Sequence, residues 1–286
     1  MADKIGAFQV LGTLGKGAHS TILHIRRSAD GRQYALKLVP INGPKDLKFL
    51  EQAEHEFEVA QRLDHANLIK VFAIEKARKL GFLGVREVRL LIEYVNGKTL
   101  DEFPLLKIPQ LVQIFVGVAS GMVQMHRRSV CHADMKPGNI MLSHTGEVKV
   151  IDYGLAWIRG ENKGRVQGTP EYMAPEQVKQ RTVNEKTDIF NFGATMYRLV
   201  TFRHIPLVLA EGGVALDHNG WKAALKPILE IAPKTPKPLA DLIEKCLAYY
   251  ANQRPEAMSE IQGALDHLAD ELVTSEDDKL EAMEWQ

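Results

Sequence analysis

The tightest constraint on the fold is a change in hydrophobic period about a third of the way along the chain. Up to about residue 95 the apolar residues mostly alternate at a period of two, and beyond it they recur at three and four. Phe8–Arg26 alternates around Gly15 and Gly17 and predicts a hairpin, and Asp30-Gly31 marks the turn into a third strand, Gln33–Val39. One helix interrupts this part, Lys45–Leu63, with Leu47, Leu50, Ala53, Phe57, Ala60 and Leu63 on one stripe. Strands Leu68–Ile74 and Val88–Tyr94 follow, joined by a basic hairpin with Lys76, Arg78, Lys79 and Arg86. Asn96-Gly97-Lys98 breaks the pattern. Helices then dominate, at Ile108–Arg127, Glu185–Phe202, Pro238–Tyr250 and Pro255–Leu272. A strand pair, Ile140–Leu142 and Val148–Ile151, lies between them, followed by an irregular span from Asp152 to Glu176. Loops of that length inside a domain are usually functional. A sheet-forming part followed by a helical part predicts an α+β protein of two lobes, and 286 residues suffice for both.

Charge narrows the partners. Lys and Arg balance Asp and Glu at 36 each, so no global basic field favours nucleic acid or an anionic membrane. The balance is uneven, since Asp270–Gln286 carries seven acids against Lys279. That predicts an acidic tail over residues 269–286, solvated or docked on the basic hairpin. Cys131 and Cys246 fit neither a disulfide framework nor a zinc spacing, which favours a reducing, cytoplasmic setting. No signal peptide opens the chain, and no apolar run is expected to span a bilayer.

The chemistry concentrates in Cys131–Leu142, a polar loop running into an apolar strand. Asp134 can orient a hydroxyl and take its proton, Lys136 can offset phosphate charge, and the Asn139 amide oxygen can hold a metal. Asp152 ends an apolar strand just before Gly154 and offers a second hard oxygen, suited to Mg²⁺. Gly15 and Gly17 let backbone N–H groups approach a phosphate, although Ser20 stands where a third glycine would strengthen the signal and a plain hairpin turn reads as well. Lys37 shares a strand face with Ala35 and Val39, leaving room for a flat ring beside an ammonium. A glutamate of the following helix could pair with it, and spacing alone does not choose among Glu51, Glu54, Glu56 and Glu58.

Taken together and in this order, these residues resemble the eukaryotic-type (Hanks-type) Ser/Thr protein kinases, bacterial members in particular. The resemblance runs from about Phe8 to about Leu268 and adds Gly168-Thr-Pro-Glu-Tyr-Met-Ala-Pro-Glu176, Asp188 through Gly193, and Arg254-Pro255. It implies a bilobal kinase fold with an N-lobe at 1–95 and a C-lobe at 96–268. ATP would be bound with Mg²⁺, Mn²⁺ being an alternative ion. Lys37 would contact the α- and β-phosphates and pair with Glu56. Gly15 and Gly17 would cover the phosphates, and Ile22, Ala35 and Met141 would sandwich adenine. Ile92 would be the gatekeeper, with Glu93 and Val95 as hinge positions. Asp134 would be the catalytic base, Lys136 the γ-phosphate contact, and Asn139 and Asp152 the metal ligands. Thr169 would help hold the acceptor hydroxyl, Glu176 and Arg254 would form a buried ion pair, and Asp188 would anchor the catalytic loop. The implied partners are ATP and a protein Ser/Thr substrate, with no nucleic acid; homodimerisation is left open.

The departures are as informative. Ala133 stands where the family usually has the arginine that meets an activation-loop phosphate. Between Asp152 and Glu176 the only hydroxyl side chains are Tyr153, Thr169 and Tyr172, all at positions the family uses for other tasks. The sequence therefore predicts an enzyme that works without loop phosphorylation. Tyr153 replaces a phenylalanine, so its hydroxyl needs a partner, and Ala60 replaces a larger apolar residue beside that ring. A pseudokinase scaffold and a kinase-like small-molecule phosphotransferase are the alternatives. The complete set of catalytic residues argues against the first and the Gly168–Glu176 segment against the second.

Overall fold

The computed structural model describes residues 4–17, 19–78, 84–103, 105–160, 167–180, 182–208 and 216–274. The chain divides into two units. The first comprises Met1–Asp64, Leu68–Asn96 and Asp152–Gly154, and the second comprises His65–Asn67, Gly97–Ile151 and Leu155–Gln286.

The first unit is an antiparallel six-stranded sheet with one helix. Its strands are β1 (Lys4–Ile5), β2 (Phe8–Lys16), β3 (Thr21–Arg27), β4 (Gln33–Pro40), β5 (Val71–Arg78) and β6 (Val85–Glu93), in the order β1-β2-β3-β4-β6-β5. Helix α1 spans Leu47–Gln61. Strand alternation works as the sequence predicts. Tyr34 and Leu36 of β4 join Ile25 in one apolar cluster that also takes in Phe8, Leu23, Leu38 and Leu91. Ala35 and Lys37 therefore lie on the opposite face, paired in register with Ile92 and Leu90 of β6. Gly31 takes φ +72° at the β3–β4 turn, and Arg27 closes that turn by pairing with Asp30. One expected boundary shifts: Leu68 and Ile69 are buried yet precede β5, which begins at Val71.

The second unit is mainly helical: α2 (Ile108–Arg127), α3 (Pro175–Lys179), α4 (Glu185–Thr201), α5 (His218–Ala224), α6 (Ile228–Ile231), α7 (Lys237–Cys246) and α8 (Met258–Thr274). Its short strands are β7 (Gly97–Thr99), β8 (Val130–Cys131), β9 (Ile140–Ser143), β10 (Val148–Val150) and β11 (Trp157–Ile158), forming a β10-β9-β7 sheet and a β11-β8 pair. Helix α4 is buried along almost its whole length, from Thr187 to Tyr197. Phe192 meets Phe115 of α2 edge-on at 6.0 Å, and Gly193 lets α7 come so close that a Cβ there would lie 2.7 Å from Cys246 Cβ. Gly97 plays the same part at β7, where a Cβ would collide with the Leu142 carbonyl of β9.

Three expectations need correction. The lobes are not separated by one cut near residue 95. Asn67 belongs to the second unit because its side chain donates to the Val148 carbonyl at 2.9 Å and its own carbonyl accepts from Val150 N–H at 2.8 Å. Asp152–Gly154 belongs to the first unit, where the Tyr153 hydroxyl donates to the Ile69 carbonyl at 3.1 Å. The C-terminal helix, expected to end at Leu272, runs to Thr274 and so takes in the start of the segment expected as an acidic tail; the rest of that tail and the hairpin tip at 79–83 lie outside the described residues. Finally, one apolar run does reach membrane-spanning length. Helix α2 has 20 residues and a mean hydropathy of 1.4 in its most apolar stretch, but Leu111, Val112, Ile114, Phe115, Val118 and Met122 are all buried within the unit. The short helices α5 and α6 went unpredicted because neither is long enough to show a period.

The predicted pair of Glu176 and Arg254 is present and buried. The guanidinium donates to both carboxylate oxygens, at 2.7 and 2.9 Å, and to the carbonyls of Lys186, Tyr249 and Ala248. Arg254→Ala strands a buried carboxylate, so it should cost about 3–5 kcal/mol. Thermal melting should then fall by about 10 °C or more.

Candidate active site

Within the first unit, Lys37 is brought by β4 and Glu56 by α1. Lys37 Nζ donates to Glu56 Oε2 at 2.7 Å and lies 3.9 Å from Asp152 Oδ1. Of the four candidate acids of the helix, Glu56 is the one turned inward, at 4% exposure. Burial opposes the charge on Lys37, but the carboxylates of Glu56 and Asp152 more than offset it and hold its pKa above the ordinary lysine value. Burial pushes the Glu56 carboxyl upward despite the lysine beside it. These three residues line a cavity of about 200 Å³ together with His19, Ser20, Phe49 and Gln52. His19 stacks on Phe49 of α1 with ring centroids 3.9 Å apart.

Asp152 sits at φ +65°, a conformation that costs a residue with a side chain, and its carboxylate stays exposed. Gly154 N–H donates to that carboxylate at 3.2 Å. Tyr153 next to it is fully buried, and burial raises its phenol pKa, so the hydroxyl remains a neutral donor to Ile69. Gly15 and Gly17 end β2 in a tight turn, with Gly17 N–H on the Ser20 carbonyl at 2.9 Å. Gly15 has open space where a side chain would be. Ile22, Ala35, Ile92 and Val95 also belong to this unit. Glu93 commits its N–H to the Lys70 carbonyl at 2.9 Å, so toward an adenine edge it can offer only its carbonyl.

Within the second unit, one hydrogen-bonded network gathers the remaining candidates. Asp134 Oδ1 accepts from Thr169 N–H at 2.7 Å, and Lys136 Nζ lies 3.0 Å from Asp134 Oδ2 and donates to Thr169 Oγ1 at 2.7 Å. Asn139 donates its amide to the Asp134 carbonyl at 2.8 Å, which leaves the amide oxygen as the atom for a hard cation. Met141 is half-buried on β9. The loop is anchored from α4. Both oxygens of Asp188 accept, one from His132 N–H and the other from Ala133 N–H, each at 2.8 Å, and His126 Nε2 lies 2.8 Å from the first. Burial alone would raise the Asp188 carboxyl, but these hydrogen bonds hold it below the usual carboxylate range. His126, Cys131 and Asp188 form a metal-like trio, yet both carboxylate oxygens are already engaged by the loop, and the trio is structural.

The structure adds residues that the sequence reading passed over. His126 steadies Asp188, Thr195 donates to the Met135 carbonyl at 3.1 Å, and Gln177 and Asn191 bind backbone around the Gly168–Glu176 segment. Their signal is polarity inside apolar helical runs, which spacing alone does not separate from a solvated face.

A lysine–glutamate pair beside a glycine turn in one unit, with an Asp-Lys-Asn loop tied to a threonine in the other, is the equipment of a phosphotransferase. A model of the protein kinase domain matches residues 8–267, and the chain belongs to that family. Among curated relatives it is similar to the serine/threonine-protein kinase PrkC of Bacillus subtilis, at 24% identity over 90% of this chain and 40% of the relative. It is also similar to a probable serine/threonine-protein kinase PknB of Bifidobacterium longum, at 26% identity over 90% and 39%. A cAMP-dependent protein kinase type 3 of Saccharomyces cerevisiae matches at 29% identity over 68% and 48%. The chain spans only about two fifths of the length of the first two.

The Tyr153 hydroxyl is buried in the turn that follows Asp152. Tyr153→Phe removes its bond to Ile69 and leaves a buried carbonyl unsatisfied, at about 1–3 kcal/mol. Melting should fall by several degrees, read by differential scanning calorimetry, with the fold retained.

Proposed function

We propose that the chain transfers the γ-phosphoryl group of MgATP to Ser or Thr hydroxyls of proteins. One observation carries the reading: Asp134, Lys136, Asn139 and Thr169 form a single network around a buried carboxylate. Asp134 orients the acceptor hydroxyl and takes its proton, and Lys136 offsets charge on the transferred group. Lys37, fixed by Glu56, holds the phosphates of ATP, which Gly15 and Gly17 cover through backbone N–H groups. Asn139 and Asp152 would each offer an oxygen ligand to Mg²⁺, which would neutralise phosphate charge. Ile22, Ala35, Ile92 and Met141 provide the apolar contacts to adenine, and Glu93 and Val95 the backbone polar ones. Lys136 in this loop favours Ser/Thr acceptors, and the Gly168–Glu176 segment favours a protein over a small metabolite. Cys131 and Cys246 are buried and form no disulfide, which suits a cytoplasmic setting.

The same reading makes the enzyme independent of loop phosphorylation. Ala133 offers no cation to a phosphate, Tyr153 and Tyr172 are buried, and Thr169 is held by Lys136. A pseudokinase scaffold is disfavoured because Lys37, Glu56, Asp134, Asn139 and Asp152 are all present.

With labelled ATP and a peptide library set against a metabolite panel, the wild-type chain should phosphorylate Ser/Thr peptides. Asp134→Asn should lower the rate by about 10²–10⁴-fold, and Asp152→Ala should abolish transfer. Equal labelling by all three proteins would refute the assignment. Treating the pure protein with a phosphatase should leave its activity unchanged; a large loss would show that a phosphate is needed after all.

A further inference from the structure

Between the loop that carries Asp134 and the segment that carries Thr169 lies one buried amide. Gln177 is 1% exposed at the start of α3. Its Nε2 donates to two carbonyls, Ala133 and Gln167, each at 2.9 Å. Its Oε1 accepts from Ala174 N–H and from Asn191 Nδ2, each at 3.3 Å. A primary amide has two donors and two acceptor lone pairs, so its whole capacity is used.

The two carbonyls are informative choices. The Ala133 carbonyl belongs to the peptide that leads directly into Asp134, and Ala133 sits at φ +65°, where an alanine is strained. Asp188 grips the N–H of that residue and Gln177 grips its carbonyl, so the strained turn is held from both ends. The Gln167 carbonyl lies two residues before Thr169, whose N–H and hydroxyl meet Asp134 and Lys136. A single side chain therefore ties the backbone that aims the proposed base to the backbone that presents its threonine partner. Ala133 has no side chain to do this by charge, and a neutral amide does it without any modification.

We propose that Gln177 is a positioning residue that holds the Gly168–Glu176 segment on the catalytic loop, in place of a phosphate-dependent ion pair. The proposal rests on the kinase reading above and adds the group that makes phosphorylation unnecessary. Gln177→Met keeps the volume and removes all four hydrogen bonds. Gln177→Glu keeps the acceptor and removes both donors, turning a carboxylate toward two carbonyl oxygens.

Both variants should lose about tenfold or more in kcat while KM for ATP stays within about twofold, the split expected of misplaced reacting groups. Amide hydrogen exchange over residues 167–174 should rise about tenfold, with melting of the remainder little changed. Wild-type kcat or wild-type exchange in either variant overturns the proposal. So does failure of both variants to fold, or a loss of ATP affinity in step with kcat, since each marks a general structural role. The exchange measurement separates the two ideas: inactivity or phosphatase sensitivity of the wild-type chain would defeat the kinase reading, while exchange still decides what Gln177 holds.

Discussion

The buried carboxylate of Asp188 is the contact on which the rest of the site depends. It lies at the first turn of α4, where unsatisfied N–H groups already favour a negative charge, and it faces two backbone amides and an imidazole. An anion so enclosed is tolerable only because every direction is met by a donor. In return it fixes two successive peptides of the loop, one through each carboxylate oxygen. Further along the same face of α4, Asn191 reaches the Tyr172 carbonyl and Thr195 the Met135 carbonyl. Positions 188, 191 and 195 fall at helical spacing, so one otherwise apolar helix presents a polar edge to everything that must be aimed.

Much of this could be read from the chain itself, and the reasons differ from residue to residue. Lys37 was legible because strand alternation is strict: apolar Tyr34, Leu36 and Leu38 force their neighbours to the other face. Glu56 was not legible from spacing, since four acids share that helix and only packing buries one of them; the family resemblance supplied it. The Asp134–Asn139 loop was legible as chemistry, but its support was not. Asp188 was expected from resemblance, whereas Gln177, Asn191 and Thr195 act on backbone atoms, which carry no residue-specific signature, and His126 acts on the Asp188 carboxylate.

The boundaries failed for a related reason. Composition finds where a pattern changes along the chain, and the units here exchange short segments that no composition marks. Three residues after α1 belong with the helical unit because Asn67 is bonded to β10. No apolar run was expected to reach the length of a membrane span, yet helix α2 does, and its apolar length comes from being covered by protein on most sides. In each case long-range packing decided what a local window could not.

The bond from Tyr153 to Ile69 has a consequence for how such a chain acquires its fold. It joins positions 84 residues apart in sequence, and both belong to the first unit. A polypeptide emerging from the ribosome therefore completes the sheet strands long before the residues that finish their interior have been made. Until Asp152–Gly154 arrive, the Ile69 carbonyl lacks this donor and the space for a tyrosine ring is empty. Closing a loop of that length is entropically slow to reward, so the first unit matures late although it is synthesised first. Assembly of the proposed ATP-binding half is thus timed by the chain that builds the other half.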